Sequence, residues 1–389
     1  MVKRFAVLVC VVLAVFLFSA GTILAQEEVI KIGGLLNTSG GAAHIGQTTL
    51  RGAQLAVKEI NAAGGILIGT KKYKVQLVNY DDKCSAKDSL SAAERLINND
   101  KVGAVLGPIC SHCCLAIMEL MDKRKVPFVA PIAASAQLTK MGSKHVFQIW
   151  STAAVQVETI VQYAVDSLKL KRGVLFTQNN AWGKSGADEF NLRLKARGGE
   201  VLGIEFYEQT NRDFYSALTK VKSLNLDFIF FLSQAEDGAM LVKQARELGV
   251  KAQLMGTDDM GNEQFFKVAG DAGAGMPCYW SSGPKNQKAV DYEKRYKTEY
   301  GQESIAIDKS GYDGLYMITE AMTKAGTALD GAKIRDALSK IDYEGTRQRF
   351  TFNERGGAKI VMWIARMEKN QQLKLLFELP IYDNPSAPI

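Results

Sequence analysis

The stretch Ile30–Ile66, IKIGGLLNTSGGAAHIGQTTLRGAQLAVKEINAAGGI, decides the fold. It opens with a short apolar run, crosses a loop of small residues, and continues as a helical pattern that stops at Gly64 and Gly65. Strand, tight crossing and amphipathic helix in that order form the opening unit of a doubly wound α/β sheet. Such sheets hold ligands beyond the carboxyl ends of their strands, so the loop NTSGGAAHIG (37–46) is the first candidate wall of a site. Its glycines lack the spacing of a phosphate-binding fingerprint, and no ribose-binding logic follows it.

Working outward, the same alternation recurs. YKVQLVNYDD (73–82) reads as a second strand, and the helical segment 86–97 leads to the buried strand VGAVLG (102–107). A helix from Ser111 to about Arg124 leads to another, VPFVAP (126–131). Short apolar runs bounded by glycine and proline, with helices between them, predict a parallel sheet with right-handed crossovers. Near FQIWST (147–152) the chain changes lobes. A helix over 155–168 then precedes a second series: strands at 173–178, 201–207, 226–233 and 253–259, with helices at 183–197, 214–224 and 237–248. Two such series predict two similar lobes. Beyond Pro284 the pattern predicts helices at 287–300, 310–325 and 333–341, then strands in KIVMWIARMEK and LKLLFELP, and a loose tail DNPSAPI.

Lys3 and Arg4 precede an apolar run from Phe5 to Phe18 and a small-residue region ending at Ala25. That is the pattern of a secretory signal peptide over residues 1–25, and the apolar run is short of the roughly 20 residues that span a bilayer. Cys10 lies inside that run with no small residue before it, against a lipoprotein cleavage box. The expected product is an exported chain long enough for two domains. The formal charge of +7, two units of which leave with Lys3 and Arg4, is spread among acids, so nucleic acid is not an expected partner. Five cysteines remain (Cys84, Cys110, Cys113, Cys114 and Cys278), an odd number in a compartment that permits disulfides.

GAQLAVKEINAAGGI, DDKC, LGPICS, APIAASAQLT, FTQNNAWGKSG, DFIFFLSQAEDGAMLVKQARELG, GTDDMGN and GYDGLYM occur in that order over most of the chain. On these segments the chain resembles the leucine/isoleucine/valine-type periplasmic substrate-binding proteins of ABC transporters. The resemblance implies an α/β type I periplasmic-binding-protein fold: two lobes, each a mostly parallel sheet flanked by helices, joined by three hinge strands. The first lobe would take 27–151 plus 282–354, and the second 152–281 plus 355–389. It also implies a monomeric, non-enzymatic receptor without cofactor or metal. Such a receptor closes over a small amino acid or related carboxylate and presents it to the permease subunits of an importer.

Carried over position by position, the resemblance implies a ligand carboxylate at Ser111, where a plain helix N-cap is the alternative. In APIAASAQLT, Ala133 stands where a carbonyl meets the ligand amine. Ala134 stands where a hydroxyl is common, and Ser135, one place later, is either a shifted clamp or a cap. Trp182 matches the aromatic that covers the ligand, or packs a helix start. Asp258 matches the acid that holds the α-ammonium, with Asp259 competing for the role. Gln234 and Ala235 replace an aromatic, and His44 with Ile45 stands near a tyrosine position; both departures predict a pocket of different shape. Cys84 and Cys110 match a family disulfide. His112, Cys113 and Cys114 are additional, open to a packed helix start, a pocket-lining or disulfide role, or a soft-metal site. Other open readings are a sensory module of the same fold and a receptor for an aromatic acid or short amide. An exported hydrolase has little support, since neither a GxSxG elbow nor an HExxH helix is present and the chain has three histidines.

Overall fold

The computed structural model describes residues 28–40, 42–283, 285–369, 372–378 and 382–383. The signal-peptide reading, Cys10 and residues 384–389 of the tail lie outside this range.

β1 (Val29–Gly34) and α1 (Ala43–Ala62) form the predicted opening unit. α1 buries Ile45, Thr49, Gly52, Ala53, Ala56 and Ile60, the stripe that a 3.6-residue period dictates. The helix ends at Gly64 and Gly65, which take φ of 96° and 92°, a region closed to most side chains. After them comes a hairpin that the sequence reading did not separate, β2 (Ile66–Ile68) with β3 (Lys71–Asn79). Three apolar residues directly behind a helix carry too little periodicity to mark a strand.

The series continues through α2 (Ala86–Asn98), β4 (Val105–Leu106), α3 (Ser111–Arg124), β5 (Phe128–Ala130), α4 (Gln137–Lys140) and β6 (Val146–Gln148). The sheet order is β2-β3-β1-β4-β5-β6, parallel except for β2. The reversal of strand order falls between β1 and β4.

A second sheet repeats the plan. α5 (Ala153–Gln162), extended by a π-helical turn at Tyr163–Ser167, leads to β7 (Arg172–Gln178). Then come α6 (Ala181–Ala196), β8 (Glu200–Tyr207), α7 (Tyr215–Lys222), β9 (Phe228–Leu232), α8 (Ala235–Glu247) and β10 (Gln253–Met255). The order is β10-β9-β7-β8, all parallel, with its reversal between β7 and β9. Every residue of β9 is buried, as a strand covered by helices on both faces requires. Past the short α9 (Glu263–Ala269), β11 (Pro277–Trp280) extends this lobe, since the Gly256 N–H donates to the Pro277 carbonyl at 3.0 Å.

The chain then returns to the first lobe with α10 (Gln287–Tyr300), α11 (Ala306–Ala325) and α12 (Gly331–Ser339). α11 lies directly on α1. A Cβ at Gly52 would strike the Asp308 carbonyl, and one at Gly311 the Thr49 carbonyl, so glycine on each helix allows the close approach. β12 (Asp342–Glu344) pairs with β13 (Arg349–Thr351), and β14 (Lys359–Ile360) with β17 (Tyr382–Asp383). β15 (Trp363–Met367) and β16 (Leu373–Glu378) join β11 in an antiparallel sheet.

Candidate functional site

A cleft of about 670 Å³ opens where the carboxyl ends of the two parallel sheets face each other. Ala42 and Ile45 follow β1, Ile109 to His112 follow β4, and Ile132 to Ala134 follow β5. From the other side come Gln178 to Asn180 and Trp182 after β7, Gln234 after β9, and Thr257 to Asp259 after β10. Both reversals of strand order thus feed the same cleft, where such sheets bind ligands.

Ser111 is the first residue of α3, and its Oγ accepts the Ser135 N–H at 3.1 Å. The first amides of any helix have no partner within it, and the dipole favours negative charge there. The start of α3 therefore offers the cleft a hydroxyl and a positive end. Ser135 is not on the cleft wall. It is 1 % exposed and stands behind Ser111, with its own Oγ accepting the Gln137 N–H at 3.3 Å. Ala133 and Ala134 do line the cleft, but their carbonyls already accept from Gln148 Nε2 at 2.7 Å and the Ala153 N–H at 2.6 Å. Any ligand amine there would share those oxygens, each of which has a second lone pair.

Trp182, the second residue of α6, presents its indole from the opposite lobe. Asp258 follows β10 and is half-buried, with its carboxylate accepting the Ser281 hydroxyl. Burial raises its pKa to about 6, against the lowering by Ser281 and by the nearby Arg347 guanidinium. Asp259 also lines the cleft, but its carboxylate holds the Ala235 N–H at 2.6 Å and Asn262 Nδ2 at 3.1 Å. Its oxygens are committed to the start of α8, and burial raises its pKa to about 7.

Gln234, in the place of the family aromatic, accepts from Gln209 Nε2 at 2.7 Å. Ile45 is on the cleft wall, whereas His44 points into a small side cavity and meets Gln264 Nε2 at 3.1 Å. That contact links the two lobes, as does the ion pair Lys140–Glu189 at 3.3 Å.

Cys84 and Cys110 form a disulfide, with Cα atoms 5.8 Å apart, immediately before Ser111. His112 Nε2 lies 2.8 Å from the Cys84 carbonyl. One donor atom from each of Cys84, His112 and Cys113 falls within 4.8 Å of the others, yet the Cys84 sulfur is bonded to Cys110 and has no thiolate to give a metal. Burial pushes the Cys113 thiol up to about 12 and raises Cys114 and Cys278 as well, so these three buried thiols are poor nucleophiles.

Several wall residues escaped the sequence reading. Tyr279 donates its hydroxyl to Gln156 Oε1 at 3.2 Å, and Gln156 Nε2 donates to Ser151 Oγ at 3.0 Å. Both side chains reach the cleft from the segments that connect the lobes. Arg347 lies behind Trp150 with its guanidinium 4.0 Å from the indole centroid. It donates to Ser310 Oγ at 2.8 Å, to the Ser281 carbonyl at 3.1 Å and to the Ile149 carbonyl at 3.4 Å. One buried cation thus fastens the first connection (Ile149) and the second (Ser281) to α11, while the Asp313 carboxylate accepts its own backbone N–H. Gln156, Tyr279 and Arg347 lie far apart in the chain, so no local stretch signals this arrangement.

The comparisons agree with the geometry. The sequence profile of a family described as periplasmic binding protein matches residues 29–372. The leucine-, isoleucine-, valine-, threonine- and alanine-binding protein of Pseudomonas aeruginosa is 26 % identical, covering 85 % of this chain and 88 % of that one. The branched-chain amino acid transporter substrate binding protein LivJ from Streptococcus pneumoniae, solved with isoleucine, superposes with a TM-score of 0.81. It is 27 % identical and covers 90 % of this chain and 99 % of its own. A solute binding protein of an R. palustris ABC transporter, solved with benzoate, superposes at 0.83 over 92 % of this chain and 98 % of its own. Its identity of 19 % bears on the fold alone. A cleft walled by the strand ends of two doubly wound sheets, in a chain matched almost end to end, leaves one conclusion: this protein belongs to the periplasmic binding protein family and is a binding protein of the two-lobed type I fold.

Proposed function

We propose that this protein is an exported receptor that captures a small amino acid, or an amino-acid-like carboxylate, and delivers it to the permease of an ABC importer. The observation that carries this reading is the pairing of unlike ends across one cleft. The start of α3, with Ser111, offers an anion site from the first lobe, and the cleft-lining carboxylate of Asp258 offers a cation site from the second. A zwitterion satisfies both, and Trp182 supplies an apolar cover.

Residues 1–25 act as the signal that places the chain in the periplasm. The lobes divide as 27–151 with 282–354, and 152–281 with 355–389. The third crossing then lies a few residues late, because Ala358 still bonds to Gln148 beside β6. Ser111, Ala133, Ala134, Trp182 and Asp258 contact the ligand, while Ser135 acts by orienting Ser111. The receptor works as a monomer, without nucleic acid, and the permease distinguishes its closed form from its open one.

The test is a thermal-shift panel on the mature protein with the twenty amino acids, benzoate and short amides. Stabilisation by amino acids supports the reading. Stabilisation by benzoate alone would transfer the function to aromatic acids, and no response to any amino or organic acid would sink it.

A further inference from the structure

The cleft is larger than a small aliphatic amino acid needs. Its volume of about 670 Å³ sits in the middle of the roughly 300–1,000 Å³ that hold drug-sized ligands. The extra space has polar walls of its own. Beyond Asp258 and Ser281, the cleft continues past Ser282 and Gly283 to Lys285, Glu293 and Lys309.

Lys309 is 6 % exposed, and the only partner of its ammonium among the described residues is Glu293. An ammonium has three donors, and lysine is almost never buried with so few of them met. Lys285, at the exposed rim, binds the other oxygen of the same Glu293. Two cations therefore share one carboxylate on this part of the wall. The Ser282 hydroxyl is buried there with no protein partner.

The neighbouring acid, Asp308, does not fill the gap. Its oxygens are taken by Ser304 Oγ at 2.6 Å, the Ile305 N–H at 2.6 Å and the Tyr292 hydroxyl at 2.8 Å. This second polar end stands close to the first. Arg347 bonds both the Ser281 carbonyl and the hydroxyl of Ser310, next to Lys309, so about one guanidinium separates the two walls.

We propose that Lys309, Lys285 and Ser282 form a second anion subsite, and that the natural ligand is an amino acid bearing an additional carboxylate at its far end. The inference rests on the amino-acid reading above. The α-ammonium faces Asp258, and the distal carboxylate takes the unmet N–H groups of Lys309 and the Ser282 hydroxyl. Charge-assisted bonds to a desolvated ammonium are among the stronger polar contacts available to a ligand.

Two length-matched series test it by calorimetry: aspartate, glutamate and 2-aminoadipate against 2-aminobutyrate, norvaline and norleucine. At least one acidic member should bind about tenfold more tightly than the apolar member of matching length, the scale of one hydrogen bond to a charged group. Lys309→Met should abolish that preference, Lys309→Arg should keep part of it, and Ser282→Ala should reduce it. Equal or tighter binding of the apolar series by the wild type overturns the subsite and leaves the amino-acid reading standing. Failure of both series to bind overturns the two together. The wild-type comparison alone decides the matter if a Lys309 variant does not fold.

Discussion

Asp258 is the residue on which the proposed binding mode turns. Burial holds its pKa near 6, so it is ionised at neutral pH and has no full counter-charge until a ligand ammonium arrives. Asp258→Asn should weaken an amine-bearing ligand roughly 100-fold, the cost of removing one partner of a hydrogen-bonded charge pair. Calorimetry checks this, and unchanged affinity would move the amine elsewhere. The pH dependence has a definite sign. Below about 6 the carboxyl takes a proton, and amine affinity should fall by up to about tenfold per pH unit. The disulfide belongs to the same scale. Cys84 and Cys110 are 26 positions apart, and replacing both by serine should cost about 3 kcal/mol in urea unfolding by the loop-entropy estimate. Ligand affinity should fall with it, because the bridge anchors the start of α3. Ser111, Trp182 and Asp258 line the cleft, and in the sequence only the family resemblance marks them out from the other residues of their loops. For Ser135 the sequence leaves a clamp and a cap both open, because a small-residue loop carries no marker of which hydroxyl faces out; its Oγ accepts the Gln137 N–H, as a cap does.

At the level of elements, the contact of α1 with α11 determines whether the first lobe can form. Gly52 and Gly311 let the helices touch backbone to backbone across more than two hundred positions of sequence. Gly311→Val should destabilise the protein by roughly 1–3 kcal/mol, as overpacking does, or more if the helices cannot separate. A melting temperature within 1 °C of wild type would show that the contact yields easily. The glycines were visible in the sequence, but their reason was not, because neither helix alone creates the need. β2 shows the opposite failure: a strand of three residues is too short for a period, and only its neighbour's hydrogen bonds define it.

For the whole molecule, the buried carboxylates set the response to pH. Asp258 and Asp308 are raised to about 6 and Asp259 to about 7, in each case chiefly by burial. The folded chain then binds more protons than the unfolded one between about pH 4 and 7, so stability falls as pH rises through that range. His44, lowered by burial, acts in the opposite sense as a single group. The ligand-free protein should melt higher at pH 5 than at pH 7.5, and an amine ligand should narrow the difference by favouring ionised Asp258. A melting temperature that rises steadily from pH 5 to 7.5 would contradict this. His44–Gln264 and Lys140–Glu189 tie the two lobes to each other.

The sequence by itself determined the repeated strand–helix alternation, the two sheets and the loops that wall the cleft. Those features follow from local periodicity and from the rule that parallel strands send their loops to one edge. NTSGGAAHIG was legible as a wall for that reason, and Ile45 lies there. Only the tertiary structure decided what stands at the hinge side of the cleft. Gln156, Tyr279, Ser282 and Lys309 come from segments far apart in the chain, and Arg347 brings the first two crossings together on one guanidinium. A buried charge is specified by partners distant in sequence, and no window of neighbouring residues contains them.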